Sequence, residues 1–133
     1  MEPVLIFDIR ILGMTEVKGK SGEALMIAFD GTSDCEEFHG KVLPGGMDTQ
    51  KEWYGSRRQL SARYMLEGVD REGKKCRIFV ENNGTAEADG FVRTTKPVII
   101  TDSTCLAWME KACLKGTIEP LEGGVRISIY EKV

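Results

Sequence analysis

The sequence predicts an all-β, mainly antiparallel domain folded as one small barrel or strongly curved sheet, with a single amphipathic helix in its C-terminal half. Three observations carry this expectation. Apolar and polar residues alternate with period two through most of the chain, the pattern of strands that lay one face on a core. Clusters of Gly, Asn, Asp and Pro punctuate those runs at hairpin spacing. One late segment alone shifts to helical spacing. With 133 residues, 41% of them hydrophobic, the chain is the size of a single domain over 1–133 and buries a core without metal or disulfide staples.

The first run, Val4 to Leu12, sets Leu5, Phe7, Ile9 and Ile11 on one face and Asp8 and Arg10 on the other. The second, Glu23 to Phe29, groups Leu25, Ile27 and Phe29, and Asp30-Gly31-Thr32 is expected to end it as a turn. A third runs from Phe38 to Leu43. It is expected to stop at Pro44-Gly45-Gly46, because proline gives no donor to a ladder and two glycines free the backbone to change direction. Further strands are expected over Gln59 to Glu67, Lys75 to Glu81 and Gly90 to Thr94, with Asp70-Arg71-Glu72-Gly73 and Asn82-Asn83-Gly84 as the turns between them. The last run, Gly124 to Glu131, puts Val125, Ile127 and Ile129 on one face and Arg126, Ser128 and Tyr130 on the other.

Between Ser103 and Lys115 the apolar positions Leu106, Met109, Ala112 and Cys113 recur at helical spacing, with Asp102 or Ser103 able to cap the start and Gly116 placed to end it. The spacing predicts a helix there that plugs an end or flank of the barrel. Seven or eight strands complete the count.

Lys and Arg total 18 against 21 Asp and Glu, a formal net charge of −3, and the densest basic groups are only Arg57-Arg58 and Lys74-Lys75. Neither tracks a phosphate backbone, so nucleic acid is not an expected partner. The longest apolar runs, Val4 to Phe7 and Val98 to Ile100, fall far short of the roughly 20 residues of a membrane-spanning helix, and no membrane partner is expected. The start Met1-Glu2-Pro3 has no signal-peptide character, which predicts cytoplasmic residence. Four cysteines, Cys35, Cys76, Cys105 and Cys113, sit far apart with no C-x-x-C pair and read as reduced structural thiols.

The segment Phe38 to Gln50 concentrates chemistry, because three glycines and a proline surround Asp48 and Gln50. An acid held just past those glycines stands at a cavity mouth, or else caps a tight barrel corner. Arg63 alternates with Tyr64 in its strand, and which of the two faces inward does not follow from the pattern. Turned inward, Arg63 needs a carboxylate for its fork of donors, and Asp48 is the natural partner; turned outward, it is a solvated surface residue. His39 is the only histidine, and no cysteine has a nucleophile signature. Asp34-Cys35-Glu36-Glu37-Phe38-His39 has metal-capable side chains at spacing that fits no tetrahedral site, so it reads as polar surface and no metal site is assigned. Trp53, Tyr54 and Trp108 serve either ligand stacking or core packing.

Taken together, Gly40 to Asp48 (G-K-V-L-P-G-G-M-D), Ala62-Arg63-Tyr64 followed by Asp70, Asn83-Gly84, Thr95-Lys96-Pro97 and Gly124 to Tyr130 (G-V-R-I-S-I-Y) resemble the bacterial and fungal domain of unknown function 3237, also called uncharacterised protein family 0311. The likeness covers nearly the whole chain. It implies a lipocalin-like antiparallel β-barrel enclosing a cavity, with the late helix packed at one end, and it supplies no reaction. Asp48 and Arg63 match the polar positions of the family pattern. Many members have a Trp directly after the motif aspartate, where this chain has Thr49-Gln50.

The function expected is binding of a small, partly apolar molecule, with Asp48, Gln50, Arg63 and Tyr64 as the polar contacts and no cofactor. The alternative is a cofactor-free isomerase, dehydratase or cyclase, with Asp48 as general acid or base and Arg63 steadying an oxyanion. A third reading is a ligand-free structural or assembly subunit. Under any of them, edge strands offer a route to a homodimer.

Overall fold

Nine stretches of chain extend into strands of one antiparallel sheet: β1 (Leu5–Lys18), β2 (Gly22–Asp34), β3 (Phe38–Val42), β4 (Met47–Trp53), β5 (Gln59–Asp70), β6 (Lys75–Thr85), β7 (Thr94–Thr101), β8 (Leu114–Leu121) and β9 (Gly124–Glu131). The computed structural model describes residues 1–133. Around the wall the order is β1-β9-β8-β7-β6-β5-β3-β2, and β1 pairs with β2 to close the barrel. β3 and β4 share one position in that ring. Both pair with β2 and with β5, β3 against Thr32–Asp34 and Leu66–Asp70, β4 against Gly22–Ala28 and Gln59–Arg63. The nine strands therefore make an eight-position barrel.

Pro44-Gly45-Gly46 thus interrupts a strand without turning it. Gly45 takes φ of +108°, a conformation other residues rarely adopt, and a Cβ on Gly46 would lie 3.0 Å from both the ring and the carbonyl oxygen of Phe29. The chain then rejoins the same two neighbours as β4, so Asp48 and Gln50 sit on a strand and not in a loop. The expected turns Asp30-Gly31-Thr32 and Asn82-Asn83-Gly84 are likewise strand, paired through Asp8, Ile9 and Arg10 and through Ala62, Ser61 and Leu60. Turn-forming side chains yield here to ladder bonds with neighbouring strands. Of Gly90 to Thr94, expected as strand, only Thr94 is one. Asp70 does make its turn, accepting from the amides of Glu72 at 2.9 Å and Lys74 at 3.1 Å.

The helix expected over Ser103 to Lys115 is absent and is corrected to one 3-10 turn, Ala107–Glu110. Leu106 and Met109 are buried as the spacing required, and the Leu106 amide donates to Ser103 Oγ at 3.3 Å. One turn suffices to bury both. A full helix would consume Leu114 to Gly116, which the barrel uses as β8 to join β7 and β9. β7 and β8 share only the pairs Thr94–Thr117 and Thr95–Gly116, and the 3-10 turn packs beside this short seam.

Inward side chains divide the interior in two. At the end plugged by the 3-10 turn, Leu5, Phe38, Leu66, Ile78, Ile99 and Ile129 pack without exposure, each worth roughly 1.5–3 kcal/mol of apolar burial. Tyr64 closes this half off, with its ring edge-on to Phe7 at 5.8 Å and to Phe29 at 5.2 Å. Beyond Tyr64 the interior opens into a cavity. On the outside, β1 outlasts β9: the β1–β9 register ends at Arg10–Gly124, and Gly13–Lys18 pair with β2 alone. No helix is long and apolar enough to cross a membrane.

Candidate functional site

Strand parity builds the cavity. Ile27, Asp48, Ala62 and Asn82 stand opposite one another on four neighbouring strands, so their side chains share the inner face. Ala62 is the small member of this row, and the space above it is walled by Asp48 on one side and Asn82 on the other, with Tyr64 two residues along. The cavity measures about 290 Å³, and twelve of its seventeen lining residues are hydrophobic, Ile9, Phe29, Leu60 and Ile127 among them. Its mouth is bordered by Gly90, Phe91 and Val92 of the segment before β7, with Phe91 largely exposed beneath the Arg93 guanidinium at 5.6 Å.

Three polar atoms on this lining are buried without a hydrogen-bond partner in the protein: Asp48 Oδ1, Tyr64 OH and Asn82 Oδ1. The other oxygen of Asp48 is held. Gln50 donates from Nε2 to Asp48 Oδ2 at 3.0 Å, and Gln50 Oε1 accepts from Arg58 Nε at 2.8 Å. Arg58 also reaches Glu23 at 3.3 Å and Glu52 at 3.2 Å, which fixes its guanidinium at the rim. Burial pushes the Asp48 carboxyl above its ordinary value, while the Gln50 hydrogen bond and the Arg58 charge pull it back. Burial alone pushes the Tyr64 phenol far above its ordinary value, so it remains a neutral hydroxyl. A neutral hydroxyl and a half-held carboxyl can bind, orient or move a proton on a molecule that enters.

Of the four residues expected from the sequence, Asp48, Gln50 and Tyr64 border the cavity and Arg63 does not. Arg63 is directly paired with Met47, one step from the Asp48–Ala62 pair, and so lies on the outer face, bound to Glu81 at 2.9 Å with 65% of its side chain exposed. The Asp48–Arg63 contact considered above does not form. Arg58 takes the place of cavity cation, and Asn82, expected in a turn, that of a second polar wall. Asn82 was legible from parity alone, being two residues beyond Val80 on the face of Ile78. Arg58 lies before β5 and carried no such signal.

Outside the cavity one further buried polar atom, Thr95 Oγ1, lacks a partner, and the clusters of titratable side chains are engaged with one another. His39 pairs with Asp34 at 2.6 Å in an exposed position. Asp70, Glu72 and Cys105 bring metal-capable atoms within 4.8 Å, but Asp70 is already engaged by two turn amides and by Ser103 Oγ at 2.8 Å. All four cysteines are free, and burial ahead of nearby acids pushes the Cys76 thiol up to about 11. Trp53, Tyr54 and Trp108 are all exposed, so none of them is core.

Fold and site together define a small closed antiparallel β-barrel with an internal, mostly apolar cavity. No family model matches the chain. A UPF0311 protein of Clostridium acetobutylicum is 34% identical over 87 residues, 65% of this chain and 51% of that protein, so the match spans about half the length of the curated relative. A solved structure of a protein of unknown function from the same bacterium superposes with a TM-score of 0.82 at 25% identity, covering 99% of this chain and 98% of the other. A conserved protein of unknown function from Rhodopseudomonas palustris follows with a TM-score of 0.78 at 20% identity, over 98% and 95% of the two chains. The chain is thus similar in sequence to a UPF0311 protein and in fold to small barrels of unknown function.

Proposed function

We propose that the protein binds a small, largely apolar molecule inside the barrel, oriented by Asp48, Tyr64 and Asn82. One observation carries this: three residues that line one apolar cavity each hold a buried polar atom without a partner. Buried polar groups are nearly always paired, and leaving one unpaired costs about 1–3 kcal/mol, so three on one lining mark a site shaped for a partner that supplies the missing bonds. Gln50 and Arg58 hold Asp48 in place and Arg63 has no part. The test is native mass spectrometry of the purified protein before and after denaturation, repeated on Ala62→Phe, which fills the space between Asp48 and Asn82. A small mass retained by the wild type and absent from the variant supports the cavity as the site. Equal retention by both removes it.

The enzymatic alternative draws on one feature, the Asp48 carboxyl with a raised pKa, one oxygen anchored and one free, which is how a general acid or base is presented. No free cation stands beside it to steady an oxyanion. Turnover of any bound compound that survives in Asp48→Asn excludes this role.

A further inference from the structure

We infer that the cavity selects a ligand that donates a hydrogen bond and is neutral or cationic, a hydroxyl or amine on a compact apolar frame, and that it rejects carboxylates and phosphates. The inference rests on the cavity reading above and adds the chemical class.

Asp48 Oδ1 sets the class. An ionised carboxylate only accepts, and this oxygen of a cavity-lining residue is buried with no donor from the protein, whereas its twin is satisfied by Gln50. A ligand hydroxyl or ammonium completes the pair, and a carbonyl or ether oxygen leaves it broken. The Tyr64 hydroxyl, neutral and unpartnered, is free to bond a second ligand atom in either sense.

The charge around the site points the same way. Arg58 is the one cation on the lining, and it is shared among Gln50 through Nε and Glu23 and Glu52 through Nη1. Three carboxylates, Asp48, Glu23 and Glu52, surround Arg58, and Arg93 at the mouth is itself paired with Glu87 and Asp89. An anion entering the cavity would lose its water, meet a cation already neutralised by Glu23 and Glu52 and lie against the Asp48 carboxylate, and a buried charge without a partner is strongly unfavourable. The five cations elsewhere that gather in one concavity, Lys51, Arg63, Lys96, Lys115 and Lys132, are on the outer wall and cannot serve the interior. At about 290 Å³ the cavity sits at the small end of the ~300–1,000 Å³ typical of small-molecule sites, which limits the frame to a compact ring system.

Isothermal titration at pH 7.5 with four probes on one frame, 1-adamantanol, 1-adamantylamine, 1-methoxyadamantane and 1-adamantanecarboxylate, reads this directly. The alcohol and the amine are expected to bind roughly 10- to 100-fold more tightly than the methyl ether and the carboxylate, the factor a hydrogen bond to a buried charge supplies. Asp48→Asn is expected to lose the preference for the amine, and Ala62→Phe to lose all binding, with circular dichroism melting showing both variants folded. A carboxylate that binds as tightly as the alcohol overturns the inference and leaves the cavity reading standing. Failure of all four probes, or binding unaffected by Ala62→Phe, overturns the cavity reading and this inference with it.

Discussion

Gln50 grips Asp48 by one oxygen only: its Nε2 donates to Oδ2 at 3.0 Å, while Oδ1 stays buried and free. The two residues alternate along β4 on the inner face, and Arg58 anchors Gln50 from the rim at 2.8 Å. The relay Arg58–Gln50–Asp48 orients a carboxylate without neutralising it by direct contact. Such an arrangement leaves Asp48 Oδ1 without a partner at some cost to the fold.

Asp48→Asn is expected to stabilise the protein at neutral pH. The folded-state pKa of Asp48 lies above its unfolded value, with burial as the main cause. The native state therefore holds this proton where the unfolded chain has released it. The contribution of this group is most favourable below the unfolded value near 3.8 and declines as pH rises through the folded one. The amide variant removes that decline. Its Tm at pH 7 is expected to exceed that of the wild type by about 3 °C, and the difference to vanish near pH 3, as differential scanning calorimetry across the pH range would read. A lower Tm at pH 7 contradicts the charge argument.

Gln50→Leu is expected to raise the Asp48 pKa further, because it removes the hydrogen bond that favours the ionised form and breaks the link to Arg58. Carboxyl carbon chemical shifts followed through a pH titration measure this. An unchanged titration would mean that Gln50 does not act on Asp48.

Arg63→Ala is expected to leave both stability and ligand retention within error of the wild type. The Arg63–Glu81 pair is exposed on the outer wall, and such pairs contribute about 0–1 kcal/mol. Urea unfolding beside the binding titration reads both quantities, and loss of binding would place Arg63 back in the site.

Gly46→Val is expected to destabilise by about 1–3 kcal/mol, since a Cβ there meets Phe29 at 3.0 Å on both ring and backbone. Phe29 also braces Tyr64, so the tyrosine's near-ultraviolet dichroism is expected to change with it. A silent substitution would show the Pro-Gly-Gly interruption to be pliable.

How much of this was legible before the structure follows from which forces are local. Alternation fixed the antiparallel β class and the faces of β1 and β9, because a period of two is written residue by residue. The glycine-rich segment Phe38 to Gln50 pointed to Asp48 and Gln50, and the strand Gln59 to Glu67 offered Arg63 and Tyr64. The interrupted strand was illegible: Pro44-Gly45-Gly46 reads as a stop, and only pairing with β2 and β5 on both sides of it shows that the chain goes straight on. The same closure turned Leu114 to Gly116 from helix into strand.

The sequence by itself determined the barrel class and the inventory of polar groups available to a site. Tertiary structure alone decided which of them meet. Arg63 and Tyr64 are adjacent in the chain and share one alternating strand, so the pattern is satisfied by either one facing inward. Register against β4 breaks that tie by matching Ala62 with Asp48 and sending Arg63 to solvent. Hydrogen-bond register couples strands far apart in sequence, and a shift of one residue exchanges the two faces, which is why the site awaited the closed sheet.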